Sequence, residues 1–329
     1  MREWGGYLPL ELPIRKEYFG DVPEEDIVRL DCGRSAFWYA LNDCRPKKLY
    51  VPYLNCMYST DPADALGIPY EYYRLTDDLT PMDIHPQPDE ALLWVNYYGN
   101  SNSKKVEKLI TQYSDTNLII DNCHAFFTKI FPEVYNCYST RKFFGVCDGA
   151  YIIKRGIKKI DLPGSESAEK ITFLLSTIEK GTNACYQENL QNEDRLGKEA
   201  HFMSKLTRRI LSSIDYAEIK GIRNDNLYRL HEILSPYNQF EVDETSGTHM
   251  YYPMLAEKDG LREKLIEKRI YTPTWWRHVP DMLGNDKNIL EVKLSDYMLM
   301  LPIDQRYNTE DMKELADIVI SEYMKCEDI

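Results

Sequence analysis

From about residue 30 to about residue 155, short apolar runs alternate with stretches of helical periodicity. Segments 49–52, 70–74, 91–97 and 117–121 have strand length and composition, whereas 35–41, 59–66 and 104–113 repeat apolar residues at helical spacing. Two more strands are predicted at 134–138 and 149–153. Strand and helix in this order predict an α/β fold on a mostly parallel sheet with crossover helices. The first thirty residues carry Gly5, Gly6, Pro9, Pro13, Gly20 and Pro23, and predict an irregular lead-in.

The pattern changes after Lys154. Segments 166–181 and 193–235 read as helices, with Leu206, Ile210 and Ile214, then Leu227, Leu230, Ile233 and Leu234, on one face. Pro236 stops that run. Strands at 248–255 and 298–301 and helices at 260–268 and 309–324 make an α+β tail. The domain change falls near 200–235, which divides the chain into a large domain over 1–205 and a second part over 206–329.

Composition narrows the function classes. Of 329 residues, 43% are hydrophobic and 28% charged, an ordinary globular balance, and the net charge of −13 repels a phosphate backbone. A nucleic-acid partner is not expected; a small phosphorylated ligand held by one helix N-terminus is compatible with that charge. No stretch approaches about 18 uninterrupted apolar residues, so no membrane span is expected. Residues 1–6, Met-Arg-Glu-Trp-Gly-Gly, lack the apolar core of a signal peptide. The eight cysteines contain no C-x-x-C pair, which predicts free thiols in a reducing cytoplasm and no metal site.

Three short elements carry candidate chemistry. Asp31-Cys32-Gly33-Arg34-Ser35-Ala36 precedes a helix, where free N–H groups can hold a phosphate or Ser35 can simply cap. Asp121 ends an apolar strand, and ligands of open parallel sheets sit off the carboxyl ends of strands; the same carboxylate could also cap the next helix. Ser139-Thr140-Arg141-Lys142 follows the predicted strand 134–138. A lysine in the enclosed mouth of a sheet can act as a nucleophilic amine, although a solvated surface lysine is the simpler reading.

Further strings fall in the same order: Val51-Pro52-Tyr53, Leu66-Gly67-Ile68-Pro69, Val95-Asn96-Tyr97-Tyr98-Gly99, Ile119-Ile120-Asp121-Asn122-Cys123-His124-Ala125, Leu294-Ser295-Asp296 with Leu301-Pro302-Ile303, and Thr309-Glu310-Asp311-Met312. Together they resemble the fold-type-I enzymes that use pyridoxal 5′-phosphate (PLP), in particular the DegT/DnrJ/EryC1/StrS family of sugar aminotransferases. The resemblance implies that Lys142 carries the cofactor as a Schiff base and shuttles the substrate proton, and that Asp121 pairs with the pyridine nitrogen. It places His124 beside the cofactor's phenolic oxygen, and Gly33, Arg34, Ser35 and Ser139 around the phosphate. Trp275 and His278 lie in a segment similar to the family's loop that returns toward the active site, and are candidate substrate contacts.

The activity so implied is amino transfer from glutamate to a nucleotide-linked keto-deoxysugar, in polysaccharide or glycan biosynthesis, by a homodimer. A PLP-dependent sugar dehydratase and a non-catalytic relative acting as a binding protein are the alternatives. The sequence departs from the family in three places. Val146-Cys147-Asp148-Gly149 stands where a Gly-Glu-Gly-Gly turn is usual, and Arg34 replaces a Thr. Cys56 occupies the place of the aromatic that covers the cofactor ring, with Tyr53 and Tyr58 nearby.

Overall fold

Apolar runs with residues buried on both sides need a layer above and a layer below, and that requirement organises the molecule. The computed structural model describes residues 4–326. Along the first half, β1 (Ile27–Leu30), α1 (Gly33–Cys44), β2 (Leu49–Pro52), α2 (Asp61–Leu66), β3 (Tyr70–Tyr73), β4 (Ala91–Val95), α3 (Ser103–Gln112), β5 (Asn117–Asp121), β6 (Tyr135–Ser139) and β7 (Ala150–Ile153) follow one another. They form one sheet in the order β1-β7-β6-β5-β4-β2-β3. β7 pairs antiparallel with both β1 and β6, while the other pairs are parallel, so β7 alone runs against the rest.

Alternate residues of each strand feed opposite layers. Ala91, Leu93, Ile119 and Cys137 pack against Ala36, Phe37, Ala40 and Leu41 of α1. Leu92, Trp94, Leu118 and Ile120 pack against Val106 and Leu109 of α3, and against Leu294, Tyr297 and Met298 from the C-terminal half.

The lead-in is less irregular than its punctuation suggests. β1 lies inside it, four residues long with a charged Arg29 among them, and is stabilised by pairing with β7 more than a hundred residues later. No local periodicity signals such a strand. Its outer side is covered by the segment around Phe202, where Met203 N–H donates to Arg29 O at 3.1 Å and Asp31 N–H donates to His201 O at 3.0 Å. That coverage protects the sheet's edge.

The second half begins with α4 (Thr172–Lys180), α5 (Tyr186–Arg195), α6 (Lys205–Leu211) and α7 (Tyr216–Leu234). The predicted helix over 193–235 is therefore three helices, interrupted at 196–204 where the chain lies along β1. Then come β8 (Tyr251–Leu255), α8 (Leu261–Glu267), α9 (Val279–Leu283), α10 (Leu290–Tyr297), β9 (Met298–Pro302) and α11 (Thr309–Tyr323). β8 and β9 form an antiparallel pair, and Tyr252, Met254, Leu299 and Leu301 share a core with Leu227, Leu230, Leu265 and Val319. No helix among the described residues is long and apolar enough to cross a membrane.

His249 links the halves. Its Nδ1 lies 3.1 Å from Gly247 O, and its Nε2 lies 3.3 Å from both Ser246 Oγ and Asn100 Oδ1. Burial pushes its pKa down from 6.5 to about 4. Between those values the unfolded chain binds a proton that the native ring rejects, so stability falls as pH falls through that window, by up to about 3 kcal/mol. Urea melts across the window are expected to show this slope in the wild type and a shallower one in His249→Gln.

Candidate active site

Lys142 is positioned from both sides by a tight turn. The chain leaves β6 at Ser139 and turns at once: Phe143 N–H and Phe144 N–H each donate to Thr140 O at 3.0 Å. Both phenylalanines are buried in an aromatic cluster, with the Phe144 ring edge-on to Phe126 at 4.9 Å. Arg223 and Gln305 donate to Phe143 O at 3.3 and 3.0 Å, tying the turn to the C-terminal half. Lys142 stays exposed to the adjoining cavity, its Nζ 5.9 Å from the centre of the Trp275 ring.

The far side of the turn is fastened at Asp148 and Gly149. Thr140 N–H and Oγ1 donate to Gly149 O at 3.1 and 2.8 Å. At Gly149 φ is +123°, and a Cβ there would stand 2.3 Å from Thr140 Oγ1, so only glycine closes the turn. Asp148 is fully buried and accepts from Ser167 Oγ at 2.7 Å, Ser204 N–H at 2.8 Å and Ser204 Oγ at 2.9 Å, and also from Thr207 Oγ1.

The cavity, about 750 Å³, opens at the carboxyl ends of β5 and β6, where an open parallel sheet places its ligands. Gly33, Arg34, Asp121, Ser139 and Lys142 all line it, so five of the residues singled out in the sequence come together. Asp121 Oδ1 accepts the Cys123 N–H at 2.8 Å, which orients the carboxylate at the strand end. The N-terminus of α1 receives no side-chain cap from Cys32. A Cβ on Gly33 would meet Cys123 Sγ at 3.1 Å, so the backbone approaches closely there. An uncapped helix N-terminus with Ser139 beside it suits a phosphate. With an amine and a carboxylate in the same space, the donor set fits PLP. The volume is of the size that small-molecule sites have.

Four of the proposed contacts do not line the cavity. Ser35 is buried, its Oγ 3.4 Å from Cys32 Sγ, and faces a neighbouring cleft rather than the cavity. His124 does not line the cavity either: its ring stacks on Trp275 at 4.2 Å and 19°. Burial and the Lys142 charge hold that imidazole well below its ordinary pKa, so it stays neutral. Trp275 is occupied by this stack and by Tyr251, and Ser295 Oγ donates to Trp276 O at 3.0 Å. His278 begins α9, half-buried and outside the cavity. Aromatic rings pack in offset-stacked or edge-to-face pairs, and the sequence does not show which ring faces which.

Of the candidates for covering a cofactor ring, Cys56 and Tyr58 line the cavity, whereas Tyr53 stacks on Tyr72 at 5.0 Å. The Arg34 guanidinium lies over the Tyr58 ring at 4.9 Å and donates to Leu196 O at 2.5 Å. Two residues escaped the sequence reading. Arg141 lines the cavity beside Lys142, and Glu193 of α5 lines it and pairs with Arg141. A second basic residue next to Lys142 was the available signal for Arg141; nothing local marked Glu193.

No family model and no curated protein matches the chain. Solved structures do. DesV of S. venezuelae, in complex with a ketimine intermediate, is 17% identical with a TM-score of 0.62, over 90% of this chain and 84% of that one. The sugar aminotransferase CalS13 of Micromonospora echinospora is 13% identical with a TM-score of 0.60, over 90% and 87%. NtdA of Bacillus subtilis, with bound cofactor PMP, is 15% identical with a TM-score of 0.62, over 91% and 73%. The match spans nearly the whole chain and both halves of the architecture, and the chain thus has the fold-type-I α/β fold of these aminotransferases.

Proposed function

We propose that this chain is a PLP-dependent aminotransferase that moves an amino group from glutamate to a nucleotide-linked keto-deoxysugar, in the formation of a polysaccharide or other glycan. The observation that carries the reading is the convergence of Lys142, Asp121, Ser139 and the uncapped α1 N-terminus on one cavity. When bound, PLP supplies an electron sink for the charge left on a substrate carbon that loses its proton. Lys142 Nζ would hold the cofactor and carry that proton. Asp121 would keep a proton on the ring nitrogen, and Gly33, Arg34 and Ser139 would bind the phosphate. Tyr58 and the α5 residues Leu190, Glu193 and Asp194 also line the cavity.

The sugar dehydratases of the resembled family typically carry His at the lysine position, so Lys142 favours amino transfer. A homodimer in the cytoplasm is part of the proposal. Tyr7, Leu8, Leu10 and Ile14 support it: they lie in a segment without helix or strand, each residue 69% or more exposed, an apolar row suited to a second copy.

Mixing the PLP-loaded protein with glutamate is expected to release one equivalent of 2-oxoglutarate per site, and a keto-sugar nucleotide should then turn over. A protein that stays colourless with PLP and takes no borohydride label at Lys142 sinks the reading. In Asp121→Asn, Oδ1 can still accept from Cys123 N–H, so fold and PLP binding should persist. Turnover is expected to drop about 100-fold, because the ring nitrogen loses its charged partner. Steady-state rates beside a PLP titration check this.

A further inference from the structure

Arg141 has the features of an anion ligand waiting for its anion. It lines the cavity next to Lys142, within electrostatic reach of Cys32 and Arg34 at the start of α1. Its side chain is 15% exposed, and its Nε is buried with no hydrogen-bond partner. Burial lowers its pKa, against the pull of the nearby Asp148 carboxylate. Among the described residues its ion pair is with Glu193 of α5, whose side chain is 47% exposed. The same stretch of chain supplies carbonyls to the neighbouring cation: Arg34 donates to Leu196 O at 2.5 Å and to Glu193 O at 3.3 Å. Gly197, at φ +71°, brings this stretch close, since a Cβ there would stand 2.5 Å from Arg34 Nε. The end of α5 thus lies over the phosphate end of the cavity, with one carboxylate and two carbonyls turned to its two arginines.

We propose that Arg141 is a phosphate ligand of this site, and that Glu193 is its exchangeable stand-in: the phosphate monoester of the bound molecule takes the guanidinium and frees α5 from the cavity mouth. The identity of the phosphate carrier as PLP rests on the function proposed above. Guanidinium matches phosphate as a bidentate donor, and a dianion at a helix N-terminus outcompetes a half-exposed carboxylate whose pairing is screened by water. The exchange also couples loading to the position of α5, because Leu190, Glu193 and Asp194 of α5 line the cavity.

The test compares PLP, pyridoxal and inorganic phosphate as probes on wild type, Arg141→Gln and Glu193→Gln, by absorbance titration and calorimetry. Arg141→Gln is expected to weaken PLP binding about 10- to 100-fold and to leave pyridoxal unchanged. Glu193→Gln, a change on an exposed face, should tighten both PLP and inorganic phosphate by roughly threefold, since it removes the competitor. Equal loss of PLP and pyridoxal in Arg141→Gln, unaltered PLP affinity in that variant, or weaker phosphate binding in Glu193→Gln each overturns the proposal. So does a wild type that binds neither phosphate nor PLP. Phosphate binding that depends on Arg141 in a protein forming no lysine adduct with PLP overturns the aminotransferase reading and leaves the role of Arg141 standing.

Discussion

Lys142→Ala is expected to abolish borohydride-stable attachment of PLP and to lower amino transfer by at least about four orders of magnitude, the upper range for loss of a group that handles the proton. The fold should be untouched. Among the described residues Lys142 makes no hydrogen bond that holds the turn; the turn is held by Thr140, Phe143, Phe144 and Gly149 through backbone and packing. Circular dichroism and urea melts of the variant are expected to overlay the wild type while mass spectrometry after borohydride shows no PLP adduct. An adduct that persists at another lysine would move the attachment point and remove the basis for the assignment.

Asp148→Ala is expected to act in the opposite way, on stability first. The carboxylate is fully buried and receives donors from three places: Ser167 after β7, and Ser204 and Thr207 at the start of α6. Alanine would leave those donors unsatisfied inside the protein, at a cost of about 3–5 kcal/mol. Asp148→Asn should cost less, because one acceptor oxygen remains while its amide faces the same donors. Urea denaturation of the three proteins gives the order. Because Asp148 precedes Gly149, which closes the turn carrying Lys142, Asp148→Ala should also slow PLP attachment below its denaturation midpoint. Wild-type stability in Asp148→Ala would mean that these contacts carry no net energy.

Asp148 also shows where local reading stopped. In the sequence, Val146-Cys147-Asp148-Gly149 is a turn that has lost two of the usual glycines. In the fold, the remaining Gly149 is the position where a side chain cannot fit, and Asp148 fastens the turn to residues between 167 and 207. The loss of glycine is local and visible; the compensating contacts are distant in sequence and are not. The same contrast separates β5 from β1. β5 is an apolar run that ends on Asp121, so the strand and the place of its carboxylate at the strand end follow from the pattern. β1 is short and polar enough to be hidden, and exists because β7 and the Phe202 segment flank it.

By itself the sequence determined what depends on neighbours along the chain. Apolar periodicity set the alternating elements of the α/β sheet, and the order of Gly33, Asp121, Ser139 and Lys142 marked strand and helix ends, which an open sheet necessarily turns to one side. Only the tertiary structure decided which side chains enter the cavity. It turned His124 onto Trp275. It stacked Tyr53 on Tyr72 and left Tyr58 lining the cavity. It brought Glu193 against Arg141 from some fifty residues away. The physical reason is that backbone direction follows from hydrogen bonding and periodicity. Side-chain direction instead follows from packing between segments with no fixed spacing in the sequence.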